Sequence, residues 1–462
     1  LAREGVKLLT LPASFVAVSV LTSVAVQVEQ VRLITLDPGH FHAALVQKTM
    51  YPQVSPIVHV YAPEGEDLTA HLKRLTDFNS RDDHPTHWEE QVHAGPDFLE
   101  RLIREKPGNV VVIAGNNTNK TRYLEQCIGA GLNVLADKPM AINPDGFERL
   151  RQTFVEARKR KVLLYDIMTE RYEVTTILQR ELSRMHDVFG KMETGSADRP
   201  AVEMESVHYF FKEVAGKPLI RSGWFFDVRQ EGEAIPDVGS HLIDLVQWEC
   251  FPEQPLDWRS DIRVQSARRW PTALTLAQFR QATGLDHFPD FFKAEITPDG
   301  KLNVFGNGEV NYTVRGVHAK VTARWEFEPA PGEKDSHYSL LRGTRASLLI
   351  LQGPEQKYLP TLYVARESNH PAGAFEKQLN SAVTKLALRY PGIEVRPAGS
   401  RWEVFVPERY RVGHEAHFAQ VTENFLSYLA SGKLPAWEEP NMVSKYFTTT
   451  EAFRLSHGGR AR

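Results

Sequence analysis

Hydrophobic and polar positions along the chain change period in a regular way. Residues 31–36 are largely aliphatic or β-branched and stop at Asp37-Pro38-Gly39, after which residues 40–50 carry apolar positions at helical spacing. The same alternation predicts strands at 57–61, 109–114, 132–136 and 162–165, and helices at 68–75, 97–106, 121–130 and 144–160. The run at 109–114 is almost unbroken apolar, as expected of a parallel strand covered on both faces. Repeated strand–helix units of this kind predict a doubly wound parallel sheet over 31–168.

After residue 169 the rhythm changes. Helices are expected at 171–185 and 239–250, and strands at 202–211, 309–314, 319–327, 346–351 and 361–365. Amphipathic helices at 374–389 and 415–429 flank a strand at 402–406. Successive strands joined by short turns indicate a mainly antiparallel sheet, so 169–462 is read as an α+β domain with an insertion near 370–412. The first thirty residues form a third kind of segment. Arg3 and Lys7 precede the uncharged stretch 8–26, and Ser23-Val24-Ala25 has the small-x-small pattern of a signal-peptidase site. We read 1–30 as a signal peptide or anchor, and the chain as exported to the periplasm or beyond the cell. A membrane anchor is the other reading, opposed by Pro12 and five Ser or Thr residues.

Composition narrows the classes. The 462 residues suffice for two or three domains, and 55 basic against 58 acidic residues leave a net charge of −3. Without a basic excess there is nothing to hold a phosphate backbone, so nucleic acid is not expected as a partner. The two cysteines, Cys127 and Cys250, form no CxxC pair and stand near no His cluster at zinc spacing.

The turn after the first strand is where a helix N-terminus can receive a dinucleotide pyrophosphate. Of a G-x-G-x-x-G pattern, Asp37 to His42 keeps only the middle glycine, Gly39, with His40, Phe41 and His42 completing the turn. Glu64, past the second strand, is placed to accept from ribose hydroxyls, and no Arg stands there for a 2′-phosphate, which favours NAD over NADP. Glu64, Glu66 and Asp67 read equally well as solvated loop charges. His84 with His87, and His414 with His417, have ligand types at spacing three but no further ligand in sequence, so we assign no metal.

Two later segments are more specific. Residues 111–118 end in Gly115-Asn116-Asn117, and Ala130-Gly131 leads through a strand into Asp137-Lys138-Pro139; downstream, Trp224 precedes Pro236-Asp237-Val238-Gly239-Ser240-His241-Leu242-Ile243-Asp244. In this order they resemble the glucose–fructose oxidoreductase / inositol dehydrogenase (Gfo/Idh/MocA) family. The resemblance implies a Rossmann domain followed by an α+β domain with a large open sheet, which often forms homo-oligomer contacts. It implies hydride transfer between a tightly bound NAD and a secondary hydroxyl of a sugar or glycoside. Gly115, Asn116, Asn117 and Asp137 would then approach the cofactor. Lys138, Asp237 and His241 match the family's catalytic Lys, Asp and His. Residue types agree: Asp237, His241 and Asp244 share a helix face, His is the side chain poised near neutrality, and Lys138 can polarise a hydroxyl. Arg171, Tyr172, Trp224, Asp237 and Asp244 would line the substrate cavity, with Trp224 or Tyr209 stacking on a sugar ring. Redox-neutral glycoside cleavage on the same scaffold and a non-catalytic sugar- or partner-binding protein are the alternatives. Departures from the family pattern are Asp37 and His42 for glycines, Asp137 for Glu, Lys120 for His, and the 370–412 segment.

Overall fold

The computed structural model describes residues 30–214 and 217–460. Except for Gln30, the segment read as a signal or anchor lies outside the described residues. Among those described, no helix is long and apolar enough to cross a membrane.

The first lobe is built on β1 (Leu33–Leu36), β2 (Ile57–Ala62), β3 (Glu89–Ala94), β4 (Val110–Ile113), β5 (Asn133–Asp137) and β6 (Leu164–Ile167). These form one parallel sheet in the order β3-β2-β1-β4-β5-β6, the doubly wound topology the alternation predicts. β1 and β4 are buried at every position because helices cover both faces. Strand β3 was not expected. Its Glu89-Glu90-Gln91 run is tolerated because it is an edge strand with much of its surface in water. Around the sheet lie α1 (His42–Val46), α2 (Glu66–Ser80), α3 (Phe98–Glu105), α4 (Lys120–Gly129) and α5 (Pro144–Arg160). α5 starts on an Asn143 side-chain cap with Pro144 in its first turn, a local signal that fixes its start. α1 is shorter than the predicted 40–50: the chain turns away after Val46, whose carbonyl accepts from Tyr51 Oη, and Gln47 gives its carbonyl to the Trp88 indole.

The second lobe opens with α6 (Val174–Ser183), strand β7 (Val202–Tyr209) and α7 (Val238–Cys250). Strands β8 (Ile262–Leu274), β9 (Leu302–Val314), β10 (Val317–Glu326), β11 (Ser336–Arg342), β12 (Ala346–Gln352), β13 (Thr361–Arg366), β14 (Glu394–Ala398) and β15 (Arg401–Phe405) complete it. The nine strands run β8-β9-β10-β7-β11-β12-β13-β15-β14, antiparallel except where β7 meets β10. Leu242, Ile243, Leu245 and Val246 of α7 pack with Val310, Tyr312 and Val321 in one core over this sheet. The 370–412 segment is part of the sheet: it supplies α8 (Ala372–Ala387) and the edge hairpin β14–β15.

The last two helices, α9 (His414–Ser431) and α10 (Glu438–Ser456), return to the first lobe. Phe418, Val421, Phe425, Met442 and Tyr446 join the core formed by β1, β4, β5 and α5, so the chain's end closes the Rossmann lobe. The 19-residue α10 escaped sequence reading because it shows no apolar stripe. It is buried on most sides, with Asn441, Ser444, Lys445, Thr448 and Thr449 bonded inside the protein.

Candidate functional site

In an open parallel sheet ligands settle at the carboxyl ends of strands where the order reverses, here between β1 and β4. Both strands end in tight backbone. Asp37 adopts φ 48°, Gly39 N–H donates to Asp37 O (2.9 Å), and His40 N–H donates to Ala114 O (3.1 Å). Gly115 is required by this approach, since a Cβ there would lie 2.1 Å from Asp37 O. The Asp37 carboxyl, which accepts from Tyr123 Oη (2.9 Å), is pushed up by burial.

A strap from the second lobe, residues 222–231, lies across the crevice. Trp224 packs on the glycine of the turn, its Cζ2 3.3 Å from where a Gly39 Cβ would stand, and its indole N–H donates to Asp67 Oδ2 (2.9 Å). Ser222 Oγ donates to the other Asp67 oxygen (2.7 Å). Asn116 Nδ2 donates to Gln230 Oε1 (2.6 Å), Asn117 N–H to Gln230 O (2.8 Å), and Asn117 Nδ2 to Glu231 O (2.6 Å). Two sequence expectations change here. Asp67 is an anchor for the strap rather than a solvated charge, and Trp224 sits on the phosphate turn rather than on a sugar ring. Tyr209, the other stacking candidate, is buried.

Beyond the strap the reactive-type residues converge. Lys138 follows β5 after Asp137 and pairs through Nζ with Asp237, which immediately precedes α7. One helical turn on, His241 presents a part-exposed ring whose Nδ1 is buried without a hydrogen-bond partner among the described residues. Burial first, and Lys138 second, lower its pKa to about 3, so the imidazole is neutral. Burial alone would lower the Lys138 pKa, but Asp237, Asp137 and Glu231 outweigh it and keep the ammonium charged. Lys120 is buried with Nζ donating to Asp137 O (2.9 Å); burial brings its pKa down to about 8. His42 Nδ1 lies 2.9 Å from Asp137 Oδ2, and the His40 ring meets the His42 ring edge-on at 4.0 Å, with Phe41 against both. Buried Glu231, which no sequence motif flags, is held well above the usual carboxylate range by burial and by Asp237.

Other expected residues lie elsewhere. Arg171 and Asp244 form a buried bidentate pair (2.6 and 2.7 Å); Arg171 also donates twice to Glu438 (3.0 Å each), and Asp244 accepts from Lys445 (2.9 Å). Their hydrogen-bonding groups are taken up by one another, so the substrate-lining expectation is replaced by an interlobe brace. Tyr172 is half-buried against the first core, and Glu64 is exposed just past β2. His84 is almost fully exposed, whereas His414 Nε2 reaches Thr169 Oγ1 (3.3 Å) and stands 3.9 Å from Glu170. Both cysteines are free.

Comparison with known proteins matches this arrangement. Residues 39–165 match the model of the "Oxidoreductase family, NAD-binding Rossmann fold", and residues 178–457 match "Putative oxidoreductase C terminal domain". The chain belongs to the Gfo/Idh/MocA oxidoreductase family. It is 50% identical to a solved structure described as a "putative oxidoreductase from Parabacteroides merdae ATCC 43184", with TM-score 0.91 over 93% of this chain and 98% of that one. At 15% and 13% identity, respectively, a 3-ketoreductase from Actinomadura kijaniata with NADP and TDP-benzene (TM-score 0.53; 93% and 98% covered) and a levoglucosan dehydrogenase with NADH and levoglucosan (TM-score 0.56; 92% and 98%) share the fold. No curated protein matches.

As a seat for a dinucleotide the crevice fits in outline. Glu64 is exposed just past the end of β2, and Asn116, Asn117 and Lys138 follow the carboxyl ends of β4 and β5. At Gly39 a Cβ would meet Asp67 Oδ2 at 3.0 Å and Trp224 Cζ2 at 3.3 Å, so a pyrophosphate would fit against this turn only with those two side chains displaced.

Proposed function

We propose that this family member is an NAD-dependent oxidoreductase that oxidises a secondary hydroxyl of a sugar or glycoside. Bound in the β1/β4 crevice, NAD supplies the hydride acceptor. The observation that carries the reading is the pairing of Lys138, from the Rossmann rim, with Asp237, at the start of α7 in the other lobe, one turn from His241. In this reading the Lys138 ammonium takes the substrate oxygen as a partner and lowers the hydroxyl pKa. Asp237, freed from part of that ion pair, accepts from a neighbouring hydroxyl and orients the ring. His241, unprotonated through burial, receives the hydroxyl proton on a ring nitrogen. The low His241 pKa makes it a weak base, so the alkoxide-stabilising charge of Lys138 has to supply much of the drive. The strap 222–231 is bonded across the crevice to Asp67, Asn116 and Asn117, which supports a tightly held cofactor.

Among substrates, the sugar assignment rests on Lys138, Asp237 and His241 and on the fold shared with a levoglucosan dehydrogenase and a 3-ketoreductase. Export, supported by the sequence of 8–26, and a homo-oligomer built on the nine-stranded sheet belong to the same reading. The test is to denature the purified protein and identify any released dinucleotide by mass spectrometry, then measure binding of added NAD and NADP. NAD is expected, with binding retained and turnover of glycosides lost in His241→Ala. Failure to carry or bind either dinucleotide overturns the reading.

A further inference from the structure

The proton and hydride steps of the proposed reaction use none of His40, His42 and Asp137, which the sequence placed along the cofactor. One ligand atom from each of these side chains falls within 4.8 Å of the others. The two histidines come from one H-x-H step where the turn after β1 enters α1, and the carboxylate comes from the end of β5, two strands away in the sheet. Sequence spacing alone hides this group because 95 residues separate His42 from Asp137.

We propose that His40, His42 and Asp137 form a binding site for a divalent first-row metal ion, with Zn2+ the best match. Several features favour a built site over a chance cluster. His42 Nδ1 and His40 Nδ1 lie 2.9 and 3.6 Å from the same oxygen, Asp137 Oδ2. Ligands bonded to one zinc at about 2.0–2.2 Å stand roughly 3–3.5 Å apart, so both separations are within a small side-chain adjustment of coordination. His40 Nδ1 is buried and has no hydrogen-bond partner among the described residues, and an ion would satisfy it. Both rings are held in place: His42 packs on Phe418 (centroids 4.6 Å), and His40 packs on Phe41 and His42. The carboxylate strand end is fixed from behind by Lys120 on the Asp137 carbonyl, a second layer of support of the kind metal sites use. Lys138 opposes a cation electrostatically, but its charge is offset by Asp237.

Two imidazoles and one carboxylate leave at least one coordination position open, the pattern of a site that takes water or a substrate oxygen rather than a closed structural zinc. The proposal stands whether or not the chain transfers hydride, because it concerns metal uptake by the protein itself.

Equilibrium dialysis of the metal-stripped full chain against Zn2+, read by elemental mass spectrometry, is the test. We expect one ion per chain, with at least tenfold weaker binding in Asp137→Asn and in His40→Ala. The double variant His84→Ala/His87→Ala, which removes an exposed histidine pair, should keep the ion. Co2+ loading of the wild type gives a visible ligand-field spectrum independent of any variant, and circular dichroism verifies that each variant is folded. No stoichiometric uptake by the wild type overturns the proposal. So does uptake unchanged in both cluster variants, or lost on removing His84 and His87.

Discussion

Single residues in this protein take their meaning from what stands opposite them. Gly115 is glycine because the turn carbonyl of Asp37 occupies the space a side chain would need. Gly115→Ala should displace that turn, cost about 1–3 kcal/mol of stability and weaken dinucleotide binding more than glycoside binding, as titration calorimetry with each ligand would reveal. Arg171 makes the opposite case. Removing its guanidinium leaves Glu438, and in part Asp244, as buried carboxylates without their cation. For Arg171→Ala we expect a loss of about 3–5 kcal/mol in urea unfolding, with KM little changed. A large rise in KM at intact stability would instead restore Arg171 to the substrate cavity. The distinction was not available from Thr169-Glu170-Arg171-Tyr172 as a string, because its partners lie 73 and 267 positions further along the chain.

At the scale of elements, the strap 222–231 is the part whose position controls the site. It is bonded to Asp67, Asn116 and Asn117, and its Trp224 indole lies with the Asp67 carboxylate against Gly39, the turn proposed to receive the pyrophosphate. Asp67→Asn removes the like charge from that position while leaving an oxygen to accept from Trp224. Affinity for NAD should rise severalfold and depend less on salt; stopped-flow fluorescence of Trp224 would report it as faster association. An unchanged or weaker affinity would show that the carboxylate does not obstruct the cofactor. The strand–helix alternation of the first lobe was readable because buried parallel strands need long apolar runs and their helices need one apolar face. Strand β3 and helix α10 were not, since an edge strand tolerates charge and a helix buried all round has no face to show.

For the whole molecule, the two cores are tied together by α10, which contributes Met442 and Tyr446 to one and Ala452 to the other, and buried ionisable groups are distributed through both. His71 and His241 are lowered to about 3, and His337 and His417 to about 4, by burial first in each case. In the unfolded chain these rings protonate near 6.5, well before they do in the folded one. Between about pH 6.5 and 4 the unfolded state therefore binds more protons, and stability falls as pH is lowered. The midpoint of urea unfolding should drop progressively over that window, and His71→Phe, which removes a buried ring whose two nitrogens have no partner among the described residues, should flatten the slope. A midpoint independent of pH from 6.5 to 4 would contradict these depressed values.

By itself the sequence determined the Rossmann sheet, the mainly antiparallel second sheet and the family, and it brought Lys138, Asp237 and His241 to notice. These are local matters: strand and helix periods, a strand-end lysine and an i, i+4 pair are encoded within a few residues. Only the tertiary structure decided that Arg171 braces Asp244 and Glu438, that Trp224 leans on Asp67 and Gly39, and that His40 and His42 meet Asp137. Such pairings join distant positions, and their energies depend on burial and on the approach of separate elements, neither of which is written in the spacing of residues along the chain.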